Sequence, residues 1–283
     1  MATYVVSDVH GYYNRLMDVL KQANFDKTKD TLCVLGDLCD RGPHNGKMLE
    51  WAYDQPDSVK FSLGNHEDFM LAYFKERDQY NEIFNSKGDI EDDLQEMIKT
   101  SLWAWNGGYK TWAYLMSLPK VRRNDILNWI SRWPLYYDIE VNGRRFLLTH
   151  AGFAMNGIHM SDDFYQKGIK RWEEIDGIEE PQFSQSMLWI RENWILSRKD
   201  LPCDVVFGHT PSAGVYNMVT DFNEWSVIDG DDPIPIEKGK EIVHFGKGLK
   251  KHCIDSGRQV LSLLRLDDME EFISDIEEVD IEG

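Results

Sequence analysis

The stretch TLCVLGDLCDRG, from Thr31 to Gly42, joins a short apolar run to a turn built of acids, arginine and glycine. Thr31 to Leu35 reads as a buried strand, and Gly36 permits the sharp backbone turn that points Asp37 off its end. Related units stand on either side. Thr3 to Ser7 runs into Asp8-Val9-His10-Gly11, and Val59 to Leu63 runs into Gly64-Asn65-His66-Glu67. Helical patterns follow each run, at Asn14 to Gln22, Asn45 to Tyr53 and Glu67 to Lys75. Such alternation predicts βαβ units around a parallel sheet. Open α/β sheets gather ligand residues at the carboxyl edge of their strands, where Asp8, Asp37 and Asn65 all fall.

Downstream the pattern changes. Glu76 to Trp133 is polar and helix-forming, broken at Asn106-Gly107-Gly108, and reads as a helical insertion or cap. Trp103, Trp105 and Trp112 around the break read as core, with substrate stacking as the alternative. Leu135 to Val141 and Arg145 to Leu148 flank Asn142-Gly143, a hairpin signal. Further strands are expected at Val205 to Phe207, Ile242 to His244, Lys251 to Ile254 and Val260 to Leu266. The expected class is α/β, layered in the α+β manner, with two sheets packed face to face in one domain over residues 1–266.

The 283 residues carry 31 Lys+Arg against 49 Asp+Glu, a formal charge of −18. Nine of those acids, and no Lys or Arg, lie between Asp267 and Gly283, so residues 267–283 read as a solvated acidic tail. A balance this acidic argues against nucleic acid or an anionic membrane surface as partner. With no apolar run long enough to span a bilayer and no leader-like start, a cytoplasmic location is expected. Cys33, Cys39, Cys203 and Cys253 form no Cys-x-x-Cys pair and read as reduced, packed thiols.

Asp8, His10, Asp37 and Asn65, with His150 in Thr149-His150-Ala151-Gly152 and His209 in Gly208-His209-Thr210-Pro211, offer three imidazoles, two carboxylates and an amide oxygen. A mixed nitrogen and oxygen set suits manganese, iron or zinc better than magnesium, calcium or structural zinc. Six ligands exceed what one catalytic metal with open positions needs. Two metals sharing Asp37 is the economical reading, and such a pair clamps the oxygens of a phosphoryl displacement. Arg41 offers a planar fork for phosphate, and His66 is placed to protonate a leaving oxygen. His44, His159, His244 and His252 lie outside these clusters and read as ordinary side chains.

Asp-x-His, Gly-Asp-x-x-Asp-Arg-Gly and Gly-Asn-His-Glu, followed by two later histidines, resemble the phosphoprotein phosphatase family of metallophosphoesterases, in its bacterial and phage branch that includes the lambda phage phosphatase. The likeness runs from Ala2 to about Leu266, loosely over Glu76 to Trp133 and Ala213 to Gly248. It implies the calcineurin-like metallophosphoesterase fold, with two mixed β-sheets as a sandwich, flanking helices and a helical insertion. It implies Asp8 and His10 as ligands of a first divalent transition metal, Asp37 as bridge, and Asn65, His150 and His209 as ligands of a second, with manganese foremost and iron or zinc as alternatives. His66 becomes the general acid oriented by Asp40, and Arg41 and Arg191 become phosphate ligands. The implied reaction is hydrolysis of a phosphomonoester, foremost a Ser/Thr phosphoprotein or phosphopeptide or else a small phosphoester, by hydroxide held between the metals. A symmetrical dinucleoside tetraphosphate hydrolase is the alternative, set behind because Thr210-Pro211 follows the last histidine; a catalytically silent metal-binding scaffold is a remote one.

Overall fold

Near-continuous apolar runs such as Thr31 to Leu35 belong to strands covered on both faces. The computed structural model describes residues 1–84, 101–153, 187–228 and 232–278 and places these runs between a helical layer and a second sheet. Strands β1 (Thr3–Val6), β2 (Thr31–Leu35) and β3 (Val59–Ser62) run parallel, with Val5 opposite Cys33 and Leu35 opposite Ser62. Val5, Cys33 and Leu35 point into the layer between the sheets, whereas Tyr4, Val6, Leu32 and Val34 pack with Leu16, Val19 and Met48 of helices α1 (Tyr13–Gln22) and α2 (Asn45–Tyr53). Period-two alternation therefore sorts each strand between two apolar layers.

Helix α3 (Asn65–Phe84) starts directly on the third cluster of polar residues. Of the helical insertion expected over residues 76–133, residues 85–100 lie outside the described ones. The rest comprises the end of α3, a π-helical turn at Ala104–Gly108, α4 (Tyr109–Ser117) and α5 (Lys120–Ile130). Trp103 and Trp112 are buried as expected, but Trp105 is 78% exposed and is not core.

The second sheet holds β4 (Tyr136–Val141), β5 (Arg144–Thr149), β6 (Asp204–Phe207), β7 (Ile236–Lys238), β8 (Val243–Phe245) and β9 (Lys251–Cys253), in the order β4-β5-β6-β9-β8-β7. At the β4–β5 turn Asn142 and Gly143 have φ of 51° and 79°, the left-handed pair that a two-residue hairpin of native twist requires. Short helix α6 (Glu192–Ile195) follows Arg191, and α7 (Ser212–Ile228) follows Pro211, burying Val215 and Val219. Phe146, Leu148 and Val206 meet Val5, Cys33 and Leu35 across the sandwich, and both sheets mix parallel with antiparallel pairs.

The tail reading needs correction. β10 (Leu261–Arg265) pairs antiparallel with β1, and β11 (Glu270–Ser274) pairs with β10, giving the first sheet the order β11-β10-β1-β2-β3. Several of the acids in the described part, residues 267–278, are absorbed individually. Asp267 accepts the Thr3 N–H at 2.8 Å, and Glu271 accepts the N–H groups of Glu241 and Ile242 at 3.0 and 3.2 Å. Phe272 meets the Tyr4 ring with centroids 6.3 Å apart. Net charge per stretch hid a short strand whose carboxylates find donors elsewhere in the chain, Glu271 on backbone N–H groups and Glu270 on Arg265. Among the described residues no helix is long and apolar enough to cross a membrane.

Candidate metal centre

The ends of β1, β2 and β6 deliver the polar clusters through strained turns. Asp8, His10, Asp37, Asp40, Arg41 and His209 all have positive φ, between 49° and 76°. Non-glycine residues adopt this left-handed region at a cost and keep it only where neighbours over-determine it. Here the neighbours are visible. His10 N–H donates to Asp37 O at 2.8 Å, Gly11 N–H to Leu38 O at 2.8 Å, and Arg41 N–H to Gly107 O at 3.0 Å. Glu67 ties two loops together, accepting the N–H groups of Asp37, Leu38 and Gly64 at 2.8, 2.9 and 2.9 Å. Burial, with Asp37 adding, pushes its pKa up to about 7. A Cβ on Gly36 would lie 2.4 Å from Gly64 Cα, so both loops need glycine where they touch.

Around Asp37 these turns assemble two groups of ligand atoms, His10 with His66 and His150 with His209, each group lying within 4.8 Å. The carboxylate serves them with different oxygens. Oδ2 is 3.6 Å from His10 Nε2 and 3.8 Å from His66 Nε2, whereas Oδ1 is 3.5 Å from His150 Nε2. Asn65 Oδ1 lies 2.9 Å from both His150 Nε2 and His209 Nδ1. His150 donates Nδ1–H to the Leu35 carbonyl at 2.8 Å, and His10 donates Nδ1–H to the Cys39 carbonyl at 3.0 Å. His150 therefore turns Nε2 toward Asn65 Oδ1 and Asp37 Oδ1, which are themselves acceptors, whereas His10 Nε2 also receives an N–H from Arg41. Lone pairs converging without a proton between them are satisfied by a cation, and imidazole ligands are commonly oriented by such carbonyls.

Electrostatics agree with that use. Burial lowers the His10 pKa to about 3, Arg41 and His66 reinforcing and Asp37 opposing, so the ring stays neutral. Burial, His150 and Arg191 push His209 well down as well. Burial acts to raise the Asp37 carboxyl, but His150, His66 and His10 outweigh it and hold it ionised. The two triads form a dinuclear divalent-metal site.

The remaining site residues are drawn in unequally. Asp8 belongs to neither triad; its Oδ2 accepts from Ser7 Oγ at 2.5 Å and from the His209 N–H at 2.9 Å. His66, expected as the general acid, stands inside the first group as well. Its Nδ1 meets Asp40 Oδ2 at 2.6 Å, and Asp40 also accepts from the Trp103 indole at 2.6 Å and from Thr111. Burial works against the His66 imidazolium, but Asp37 and Asp40 raise its pKa above the ordinary value. Arg41 spans the first group, donating Nη1–H to His10 Nε2 at 2.6 Å and Nη2–H to His66 Nε2 at 2.8 Å. Arg191 reaches Thr210 Oγ1 at 2.8 Å and the His209 carbonyl at 3.2 Å.

Sequence reading passed over Asp255, a buried carboxyl just past the end of β9 whose pKa is driven well up by burial and by Asp8. Its position was a usable signal. The strand-end rule that found Asp8, Asp37 and Asn65 in the first sheet applies equally to the second.

Residues 1–232 match the model of the calcineurin-like phosphoesterase family. A symmetrical bis(5'-nucleosyl)-tetraphosphatase of Proteus mirabilis (strain HI4320) is 40% identical over 104 residues, 35% of this chain and 36% of that protein. One of the same name from Photorhabdus laumondii is 31% identical over 155 residues, 54% of this chain and 45% of its own length. The matches thus span less than half of these relatives. A solved structure of a "putative diadenosine tetraphosphatase" superposes with a TM-score of 0.51 at 17% identity, covering 96% of this chain and 92% of that one, and shares the fold.

Two expectations are overturned by the curated relatives, which carry the tetraphosphatase name. The chain is not of the phosphoprotein phosphatase branch, and a phosphoprotein or phosphopeptide is not the partner to which its relatives point. The three clusters misled because they serve metal chemistry and say little of the substrate. Thr210-Pro211 misled because its work is local: Thr210 receives Arg191, and Pro211 O accepts the Val215 N–H in the first turn of α7. The chain belongs to the calcineurin-like phosphoesterase family, and its two triads meeting at Asp37 are the layout of a dinuclear metal site.

Proposed function

We propose that the chain hydrolyses symmetrical dinucleoside tetraphosphates at the central anhydride, releasing two nucleoside diphosphates. Its curated relatives bear that activity in their name, and their matched stretches support the substrate class. The observation that carries the chemistry is Asp37, which turns one carboxylate oxygen to each of two histidine pairs. We assign Asp37 as the shared ligand, with Asp8 and His10 on one side, Asn65, His150 and His209 on the other, and manganese as the metal. When bound, such ions polarise a phosphoryl group and lower the pKa of water toward neutrality.

The chain's own groups supply the rest. Arg41 turns a planar fork into the first group, matched to two phosphate oxygens once it releases the imidazoles it now bridges. Arg191 lies beside the second through the backbone of His209. With Nδ1 held by Asp40, His66 keeps Nε2 toward the centre and can hand a proton to the departing diphosphate. The test is product analysis of manganese-loaded protein with diadenosine tetraphosphate, before and after chelation, with metal content measured on the same sample. ADP as the sole product, lost on chelation, is expected. AMP with ATP would reject cleavage at the central anhydride, and turnover of simple phosphoesters but not of the dinucleotide would reject the substrate.

A further inference from the structure

The π-helical turn Ala104–Gly108 faces two ways. Inward, it holds the phosphate arginine. Gly107 O accepts the Arg41 N–H at 3.0 Å, Asn106 O accepts Arg41 Nε–H at 3.3 Å, and Gly107, at φ 98°, is pressed so closely that a Cβ there would lie 2.8 Å from Arg41 Cγ. Just before the turn, Trp103 is buried and donates its indole N–H to Asp40. Outward, the same turn presents Trp105, 78% exposed, the residue next to Asn106. A large aromatic usually buries, and this one stands bare on the segment that grips an active-site arginine. Trp225 is comparably exposed, at 71%, but its chain neighbours touch neither Asp40 nor Arg41.

We propose that Trp105 is the platform on which a nucleobase of the substrate stacks while the attached phosphates reach Arg41 and the metal centre. The inference rests on the reading of the site as one for dinucleoside polyphosphates and names a subsite for it. Each part of a nucleotide finds its complement along this short segment: Arg41 answers the phosphate charge, and the indole answers the flat π-face of the base. Stacking on an aromatic ring tolerates any base, so Trp105 selects for nucleotides over bare polyphosphate without choosing among nucleosides. Because Asn106 and Gly107 also hold Arg41, the base and phosphate contacts are tied to one turn of chain.

Calorimetry on manganese-loaded protein, with ADP and inorganic pyrophosphate as probes, tests this without relying on turnover. Trp105→Ala is expected to weaken ADP about tenfold while pyrophosphate weakens far less, and Trp105→Phe, which keeps a ring, recovers most of the loss. Equal weakening of both probes would show that Trp105 only supports the Arg41 turn and would overturn the proposal. So would ADP binding unchanged by Trp105→Ala, or ADP binding no tighter than pyrophosphate in the unaltered chain. The two ideas fail separately. A chain that loses ADP selectively on Trp105→Ala yet leaves diadenosine tetraphosphate intact keeps the platform and loses the proposed reaction. A Trp105→Ala variant that cleaves the dinucleotide as well as the unaltered chain does keeps the reaction and loses the platform.

Discussion

The two sides of Asp37 use the same residue types to different ends. Toward Oδ1 stand His150, His209 and Asn65, and the atoms that converge there are lone-pair donors to a cation. Toward Oδ2 stand His10 and His66, with the Arg41 fork laid across both imidazoles. Each side has two histidines, so ligand identity does not separate them. What stands behind the rings does. The Leu35 carbonyl behind His150 takes its Nδ1–H and leaves Nε2 facing the centre, whereas the Asp40 carboxylate behind His66 favours the charged ring. One side is built to hold a metal, and the other must also handle phosphate and a proton.

Removing the shared carboxylate breaks both sides at once and carries the largest expected effect. Asp37→Asn should leave less than two metals per chain by elemental analysis and cost at least about 10³-fold in kcat/KM, the several kcal/mol that metal stabilisation of a phosphoryl transition state supplies. Retention of both metals with near-normal turnover would mean that Asp37 is not the bridge. His66→Asn touches only the Oδ2 side. It should cost about 10²–10⁴-fold on an alkyl phosphate and less on diadenosine tetraphosphate or p-nitrophenyl phosphate, whose leaving groups need little help from an acid. Equal losses on all three substrates would instead mark His66 as a metal ligand.

Asp40→Asn probes what stands behind the ring and should be smaller, about 10–100-fold. Asp37 and Asp40 hold the His66 pKa above 6.5 against burial, so the protonated ring is lost only as pH rises through that elevated value. Without Asp40 the value falls, and the alkaline decline in kcat should begin at lower pH. A profile that stays in place would remove His66 from the proton path. The smallest effect belongs to Cys39, between Asp37 and Asp40 in sequence. Burial, with Asp40 and Glu67 adding, pushes its thiol well above the ordinary range, so it stays protonated and inert. Iodoacetamide should leave activity and mass unchanged; alkylation at Cys39 with loss of activity would show that the Oδ2 side opens more than its packing suggests.

Legibility in the sequence followed the kind of burial each element has. β1, β2 and β3 are covered on both faces, and their apolar runs end in glycine-flanked clusters, so the strands, their parallel pairing and the residues at their tips could be read directly. The second sheet was legible as strands but not as an arrangement, because no local pattern says that β9 lies between β6 and β8. β11 escaped because its charges are answered by distant partners: Glu271 by the backbone at residues 241 and 242, Asp267 by Thr3. β7 is three residues long and mostly exposed, too little for a period to show. At the site, ligand types were readable while their grouping was not. Whether Asp8 or His66 joins His10 depends on how three strand ends turn, and turns at positive φ are set by contacts between loops. Substrate class was least legible, since metal ligands specify a reaction and leave the choice of leaving group to other surfaces.

The place of β1 in its sheet bears on how the chain is made. β1 lies between β2 and β10, with Tyr4 opposite Leu32 on one side and Arg265 on the other. Synthesis delivers one neighbour early and the other only after the whole of the second sheet. Until residue 265 emerges, an apolar strand carrying Val5 and Val6 has an open hydrogen-bonding edge, the kind of surface that recruits other chains. Pairing across such a separation is also slow, because loop-closure entropy must be met before the contact stabilises anything. A chaperone that shields the nascent first sheet should therefore raise the soluble yield more than one acting after release, and a ribosome stalled before β10 should display the most aggregation-prone form of this protein.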